Sequence, residues 1–315
     1  MLKRRNLLIF LGALALASFC YSLFKGSLIS GIYQPDSLFS AILFHIRLPR
    51  TLGAFTTGGM LALSGALMQV LLRNPLADPY VLGVSGGTAV ATLFLLLCGF
   101  SGIILITGAW IGGLLAILLV FTLAQGKNFE NTQRVLLTGI AFASATSALI
   151  SFILLVSPEK ELRGMLFWLM GDLSGCQFSG VEILILLAGL LLSLFFAPQL
   201  NILIRGEKEA RALGVNTHRL HIALYLLSSL LTAAAVTIAG CIGFVGLIVP
   251  HMIRMLGVQD YRFLLPGSVL LGGALLTFAD TLARSIINPE QLPVGIMMTL
   301  IGIPVFLFLL QKNSA

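Results

Sequence analysis

Long apolar segments separated by short polar ones repeat along the whole chain. A helix that crosses the hydrocarbon core of a bilayer needs about twenty residues, within a range of about 17–25. A shorter apolar stretch at 242–256, interrupted by Pro250, His251 and Arg254, predicts one additional short helix. The pattern therefore predicts an all-α, polytopic integral membrane protein of about ten transmembrane helices, with nine or eleven left open. The longer candidates are residues 7–24, 51–71, 82–100, 103–124, 134–156, 180–198, 221–240, 264–287 and 293–311.

The segment 73–87 interrupts this pattern most strongly, because it places Arg, Asn, Asp, two prolines and three glycines between two apolar runs. Pro75 and Pro79 forbid a continuous helix. The glycines allow the next helix to begin against a close neighbour. Lipid cannot satisfy the hydrogen bonds of an irregular backbone, so this segment is expected at a membrane surface or along a protected cavity.

Small residues recur inside the predicted helices. Gly108 and Gly112 have the GxxxG spacing that favours close helix packing. Residues 58–63 and 272–276 are alike, but the likeness is too short to establish an internal repeat.

The composition agrees with a membrane protein. Of the 315 residues, 58% are hydrophobic and 10% are charged, and the mean hydropathy is +1.03. Soluble domains carry about 25% charged residues. The net charge of +7 comes from single basic residues scattered between apolar runs, which argues against nucleic-acid binding.

The basic residues also indicate the orientation. With the N-terminus inside, the cytoplasmic segments hold thirteen of the nineteen lysines and arginines, a clear positive-inside bias. Both termini are then predicted to be cytoplasmic, and the first helix is interpreted as uncleaved. The short connections leave no room for a soluble domain, so residues 1–315 are predicted to form a single transmembrane domain.

Two connections are longer than the rest. Residues 157–179 lie outside in this topology, and 167–172 are expected to form a short interfacial segment. Residues 199–220 lie inside and are the most polar part of the chain. Within them, the pattern predicts a short surface helix stopped by Gly214, in which Glu207 and Arg211 can pair at a spacing of four. The composition alone favours an ordinary solvated helix for this segment.

No catalytic constellation is found. The chain lacks an HExxH sequence and a paired-carboxylate site, and its four histidines are scattered. No Walker A sequence occurs, so another chain or an ion gradient has to supply energy for any uphill transport. The four cysteines show no metal-ligand spacing. They are expected to be small apolar fillers, with a disulfide near the outer face as the alternative.

Arg47, Arg50 and Arg284 are among the basic residues on the predicted outer side, against the general charge bias, and call for a reason. Arg284 can pair with Asp280 one turn earlier. Arg47 and Arg50, which are three residues apart, can contact lipid phosphate.

Several motifs in the same order resemble the permease subunits of the FecCD type. These subunits belong to ATP-binding-cassette importers for iron-siderophores, haem and vitamin B12. The resemblance extends from Arg47 to Gln311 and implies a type II importer permease in the bacterial cytoplasmic (inner) membrane, without catalytic residues, bound metal or cofactor. It implies as partners a second permease copy or a similar chain, two ATP-binding subunits, an extracytoplasmic substrate-binding protein and membrane lipid. The motifs that carry it are residues 73–87, 206–216, 243–254, 261–267 and 291–296.

The resemblance also implies roles for individual positions. Residues implied in coupling to the ATPase are Glu207, Glu209, Ala210, Arg211, Gly214 and Val215. Residues implied in docking the binding protein are Arg47, Arg50 and Arg284. Residues implied in the cytoplasmic gate are Asn74, Leu76, Thr132 and Gln133, for which turn formation and helix capping are the structural alternative.

The alternative function is an ion-gradient-coupled secondary transporter. Such a carrier needs ionisable groups near the midplane of the bilayer. Asp280 and Arg284 lie toward the outer end of their helix instead. An iron(III)-siderophore is the expected cargo of the importer, with haem or cobalamin as alternatives.

Overall fold

The computed structural model describes residues 4–25, 40–124, 132–176, 178–287 and 290–313. Across these residues the chain forms twelve α-helices. Seven are long and apolar enough to cross a membrane, and three shorter ones are also apolar. An apolar helix is therefore present at each of the ten predicted places, and seven of these helices are long enough to span a membrane. The helices are α1 (Arg4–Phe24), α2 (Leu48–Leu71), α3 (Val84–Leu97), α4 (Ile103–Ala124), α5 (Thr132–Val156), α6 (Glu159–Leu169), α7 (Val181–Leu203), α8 (Glu207–Ala212), α9 (Thr217–Ala239), α10 (Val245–Met255), α11 (Tyr261–Ala283) and α12 (Val294–Asn313).

Helix α2 is the centre of the bundle. It continues a helical segment that begins at Ser40 and passes through a π turn at Leu43–Arg47. In its most apolar 18-residue stretch 94% of the residues are buried, whereas the value for the corresponding stretch of α5 is 17%. Helices α9, α10 and α11 pack directly on it. A helix surrounded by protein on all sides can carry small and polar residues that a lipid-facing helix could not.

Glycines set the closest approaches to α2. A Cβ at Gly58 would collide with the carbonyl oxygen of Gly272 on α11, and a Cβ at Gly65 would collide with the backbone of Gly246 on α10. The two similar segments of the sequence, 58–63 and 272–276, thus face each other across one helix crossing. The small residues let the backbones meet, as in other membrane helix pairs.

The other small-residue motif also packs as a helix contact. A Cβ at Gly112 of α4 would meet Ala91 and the carbonyl oxygen of Gly87 on α3, and a Cβ at Gly108 would meet Leu95. The GxxxG spacing therefore forms the contact between α3 and α4.

The break after α2 follows from its sequence. Arg73 adopts a left-handed backbone with φ of 48°, and the Asn74 side chain accepts a hydrogen bond from the Leu76 amide at 2.9 Å. Asp78 then caps a 3₁₀ turn at Pro79–Leu82, and Gly83, with φ of 74°, starts α3. The predicted polar hinge is present.

The outer loop differs from its prediction. Residues 167–169 of the interfacial segment expected at 167–172 are the last residues of α6, a helix that begins at Glu159, and residues 170–172 follow the helix end. Pro158 precedes the helix, and Glu159 and Glu161 occupy its first turn, where negative charge is favourable. The polarity of this first turn hides the helix from a search for apolar segments.

All four cysteines, which lie within the described residues, are free thiols. Cys20 and Cys98 are exposed, and Cys176 and Cys241 are partly buried.

Candidate functional site

The short helix α8 protrudes from one end of the bundle, which we call the Glu207 end. Ala210 is fully buried and faces the bundle, whereas Leu213 just after the helix is 65% exposed. Gly214 ends the helix with φ of 81°, its amide donating to the Arg211 carbonyl at 2.9 Å. The Val215 amide donates to the Ala210 carbonyl, also at 2.9 Å. The predicted surface helix and its glycine stop are therefore present, with a buried small residue as its anchor.

Glu207 lies at the centre of the charges on this helix. One carboxylate oxygen, Oε1, accepts from Arg211 at 3.1 Å, the pair expected from the spacing, while Oε2 accepts from Arg73 at the end of α2. Arg211 Nε in turn donates to Thr217 Oγ1, at the start of α9, at 3.1 Å. Partial burial raises the pKa of Glu207, but the hydrogen bonds from Arg73 and Arg211 outweigh it and leave the pKa below its ordinary value.

The remaining predicted coupling residue, Glu209, is exposed on α8. Its carboxylate bends back over Gly206, where any added Cβ would collide with it. The six predicted coupling residues thus form one compact structure, although Ala210 and Val215 contribute through packing and not through an exposed surface.

The predicted gate residues Asn74 and Leu76 lie in the loop that follows α2. Asn74 is exposed and forms the turn described above, which is the structural alternative considered for it. Leu76 points into a small apolar recess between α10 and α12. Its lining is Leu76, Leu247, Ile248, His251, Phe306 and Leu309.

The other half of the predicted gate, Thr132 and Gln133, lies in the first turn of α5. The side chains of both fall outside the described part of the chain. The segment after α2 packs closely on α5 further along, because a Cβ added at Gly83 would meet Phe142 and the Gly139 carbonyl oxygen, and one added at Gly86 would meet the Thr146 side chain. The structure therefore joins the 73–87 segment to α5.

Helix α5 has an exposed face of small and polar residues. Ser144 and Ser151 are exposed, and each hydroxyl donates to a carbonyl of its own helix at 3.0 Å. Internally satisfied hydroxyls can face lipid, water or another protein at low cost. From one end to the other, the residues of this face are Ala141, Ser144, Ala145, Ser147, Ala148 and Ser151.

At the opposite end of the bundle, which we call the Arg50 end, the predicted docking residues Arg47 and Arg50 are buried and Arg284 is partly buried. Arg50 donates from Nε and Nη2 to the Asp280 carboxylate at 2.8–3.1 Å, and from Nη1 to Gln291 Oε1 at 2.6 Å. Arg284 lies 3.7 Å from the same carboxylate, which confirms the predicted pair, and also donates to Ser22. Asp280 is completely buried.

Arg47 completes this cluster without a carboxylate. Its Nη1 donates to the carbonyls of Leu23 and Phe24, at the end of α1, at 2.9 and 3.4 Å. We call Arg47, Arg50, Arg284 and Asp280 the arginine cluster. The cluster holds three guanidinium groups and one carboxylate, which Arg50 and Arg284 share, so it carries excess positive charge. Its hydrogen bonds tie α1, α2 and α11 together, a structural role that the sequence analysis assigned only to Arg284.

A cavity of about 990 Å³ opens beside the arginine cluster. Residues of α3, α4, α6, α7 and α9 line it, together with residues of the loop after α6. Both tryptophans of the chain, Trp110 and Trp168, line it, together with the basic residues Lys160 and Arg163. Its lining includes no residue of α5, so it is separate from the exposed serine face.

Sequence reasoning missed the partners that hold these residues. Arg50 and Asp280 are 230 positions apart, and Arg73 and Glu207 are 134 apart. The only available signal was the rarity of charge in an apolar chain, which favours pairing but does not identify the partner.

Comparison with known proteins gives a consistent result. A sequence profile described as the FecCD transport family matches residues 7–312. The hemin transport system permease protein of Yersinia pestis is 42% identical over 86% of this chain and 84% of its own length. The vitamin B12 import system permease protein of Vibrio vulnificus is 37% identical over 98% and 95%. A solved ABC transporter assigned to the metal-chelate type, in an inward-facing conformation, superimposes with a TM-score of 0.89 at 34% identity, covering 98% of this chain and 99% of its own.

Proposed function

The chain belongs to the FecCD transport family, and from that premise we propose that it imports an iron(III) chelate into the bacterial cytoplasm. It is a membrane-spanning permease subunit of an ATP-binding-cassette importer and not an enzyme. Permeases of this kind work with separate ATPase subunits and a second permease. The proposal adds the cargo, the binding protein, the orientation with both termini cytoplasmic, and the roles of individual residues.

A metal chelate is the class of cargo that the named relatives support. The relatives carry hemin and vitamin B12, which are both organic chelates of a metal ion. Within this class we propose an iron(III)-siderophore, because it is the commonest cargo of the family. Haem and cobalamin are the alternatives that a transport assay has to separate.

The observation that carries the ATPase-coupled function is the protruding helix α8. It presents an exposed apolar residue, Leu213, beside exposed charges, while Ala210 and Val215 fix its base to the bundle. An exposed apolar side chain with a polar rim is typical of a protein-binding surface. We assign the ATPase contact to this helix and the turn after it, that is to Glu207, Glu209, Ala210, Arg211, Gly214 and Val215.

The arginine cluster is the proposed contact for the substrate-binding protein. Because its guanidinium groups are buried and paired within the chain, they would attract acidic side chains through their excess positive charge more than through direct bonds. Charge of this kind increases the rate of encounter and fixes the register of docking. Its range is limited to about 8–10 Å at physiological salt.

The proposed pathway runs between two permease copies, with its cytoplasmic gate at the loop after α2 and the start of α5. The close packing of Gly83 and Gly86 against α5 supports a common movement of these two elements. The exposed serines of α5 offer hydroxyls to a polar cargo or to the second copy. Coupling then requires that the ATPase bind one conformation of this gate more tightly than the other.

The secondary-carrier alternative receives less support from the structure. An ion-coupled carrier uses ionisable groups near the middle of the membrane. Asp280 is the buried acid of the described spans, and its carboxylate is occupied by Arg50 three residues before the end of α11. A carboxylate held by two arginines is poorly suited to bind and release a proton or sodium ion.

Reconstitution separates the two functions. The permease is placed in liposomes with its ATPase, and uptake of a radiolabelled iron(III) hydroxamate siderophore, hemin and cyanocobalamin is measured with binding protein added. We expect ATP-dependent uptake of the iron chelate, abolished when the Walker A lysine of the ATPase is replaced by alanine. Uptake driven by a proton or sodium gradient in liposomes that contain the permease alone would refute the proposal.

A further inference from the structure

The ion pair between Arg73 and Glu207 joins two parts of the chain that the proposed function treats separately. Arg73 is the first residue of the loop that carries Leu76, and Glu207 is the first residue of α8. The guanidinium Nη2 of Arg73 donates directly to Glu207 Oε2. The gate loop and the ATPase-contacting helix are therefore in direct side-chain contact.

The two oxygens of Glu207 serve different elements. Oε2 is bound by Arg73 and Oε1 by Arg211, whose Nε also reaches Thr217 of α9. A displacement of α8 has to change the position of the Glu207 carboxylate relative to at least one of these arginines. Glu207 is thus a joint between α2, α8 and α9.

The backbone around Arg73 carries such a displacement into the loop. Arg73 has a left-handed backbone, which is costly for a residue with a side chain. From there, Asn74 accepts from the Leu76 amide, and the Ala77 amide donates to the Asn74 carbonyl at 3.0 Å. This tight turn connects Arg73 to Leu76 with little slack.

The pair is poorly suited to a purely stabilising role. The Arg73 side chain is 46% exposed and that of Glu207 is 21% exposed. Ion pairs accessible to water contribute little to folding stability. An exposed pair can also form and break during a cycle, unlike the buried pair of Arg50 and Asp280.

We propose that Arg73 is a positioning residue that transmits movement of α8, through Glu207, to the gate loop and so to Leu76. This inference rests on the proposed function, because it presumes that an ATPase moves α8. The two can nevertheless fail separately in the experiment below.

Thiol labelling of the gate loop measures the transmission. Leu76→Cys is introduced into a chain whose four native cysteines are replaced by serine, and the permease is reconstituted with its ATPase. The rate of reaction with a water-soluble maleimide is compared between the nucleotide-free complex and the complex trapped with ATP and vanadate. Couplings between distant sites are typically about 5–150-fold, so we expect the labelling rate to change at least about fivefold.

Three variants test the route. Arg73→Asn removes the charge but tolerates the left-handed backbone, and Glu207→Gln removes the acceptor charge. In each of these, we expect the nucleotide-dependent change to fall below about twofold, and in their combination to fall no further. Arg73→Lys keeps a positive charge and should restore part of the change. Arg262→Asn removes an exposed arginine at the same end of the bundle and is the matched control.

The outcomes are distinct. The inference would be overturned if the labelling rate in Arg73→Asn and Glu207→Gln changed with nucleotide as much as in the parent. It would also be overturned if the reductions of this change in the two variants added up in the double variant. Loss of the ATPase from either variant during size-exclusion chromatography would also overturn it, because the pair would then serve docking. If the unsubstituted complex shows no ATP-driven uptake, the proposed function itself fails. Uptake without any change at Leu76→Cys refutes only the inference.

Discussion

Replacing Asp280 with asparagine should destabilise the permease by about 3–5 kcal/mol, the usual cost of removing one partner from a buried ion pair. The side chains of Arg50 and Asp280 are 9% and 1% exposed. Asparagine has the size of aspartate but leaves the guanidinium groups of Arg50 and Arg284 without their shared negative charge. Water cannot reach them to compensate, so most of the penalty should be measurable.

A double-mutant cycle separates the pair from its surroundings. Arg50→Gln alone should also be destabilising, whereas Arg50→Gln combined with Asp280→Asn should cost less than the sum of both by about 1–3 kcal/mol. Glu290→Gln, an exposed acid next to Gln291, is the matched control and should lie within about 0.5 kcal/mol of the parent.

The assay is reversible unfolding in mixed detergent micelles, followed by tryptophan fluorescence and checked by thermal melting. A cost below about 1 kcal/mol for Asp280→Asn, or strictly additive effects, would refute the view that this pair holds α2 to α11. It would also return Arg50 to the set of arginines available for direct contact with a binding protein.

The pairing of Arg50 with Asp280 affects any test of binding-protein docking that replaces Arg50. Exchange of Arg47 and Arg50 for glutamate should abolish the stimulation of ATPase activity by the binding protein. In the structure, however, a glutamate at position 50 would face Asp280. Lost stimulation can therefore be assigned to docking only if the variant unfolds at the same detergent concentration as its parent.

Three further predictions concern single positions. Gly58→Leu should destabilise the bundle by at least about 1–3 kcal/mol, measured by thermal melting, because the new side chain overlaps the backbone of α11. Burial raises the pKa of Asp78 from 3.8 to about 6 despite the hydrogen bond from the Tyr80 amide. The stability that Asp78 contributes is therefore complete below pH 3.8 and is lost as the pH rises through about 6. In Asp78→Asn, the melting temperature should therefore depend less on pH between these two values. Gly214→Pro should prevent co-purification of the ATPase. Proline lacks the amide that bonds the Arg211 carbonyl, and it cannot adopt φ of 81°. Gly214→Asn should retain co-purification of the ATPase.

The sequence predicted what is local and could not predict what is distant. Apolar length identified the transmembrane helices, Pro75 and Pro79 marked the break after α2, and the charge pattern with Gly214 marked α8. The partners of Arg50 and Arg73 depend on how helices far apart in the chain are arranged around α2. No local rule of propensity or spacing contains that arrangement.

Local patterns of small residues also do not show which distant helices they bring together. The likeness of 58–63 and 272–276 was visible in the sequence, but its meaning as one helix crossing required the fold. The first turn of α6 shows the opposite problem, since its acidic residues favour a helix start and also resemble an ordinary polar loop.

The two ends of the bundle therefore differ in how their charges are held, and this difference leads to a salt-dependent prediction. The pair of Arg50 and Asp280 is dry, whereas the pair of Arg73 and Glu207 is open to water. Raising the salt concentration from 0.1 to 1 M shortens the screening length from about 10 to about 3 Å and weakens exposed pairs far more than buried ones. The nucleotide-dependent change in the labelling rate of Leu76→Cys should then fall toward the value measured when Arg73→Asn is also present. The melting temperature should change little.

In Arg73→Asn, the same increase in salt should have little further effect, because the pair it screens is already absent. This comparison distinguishes screening of the pair from a general weakening of the contact between permease and ATPase, which would reduce the response of both proteins by the same factor. An equal reduction in both would contradict the assignment of the Glu207 end as the moving, water-exposed joint of the importer.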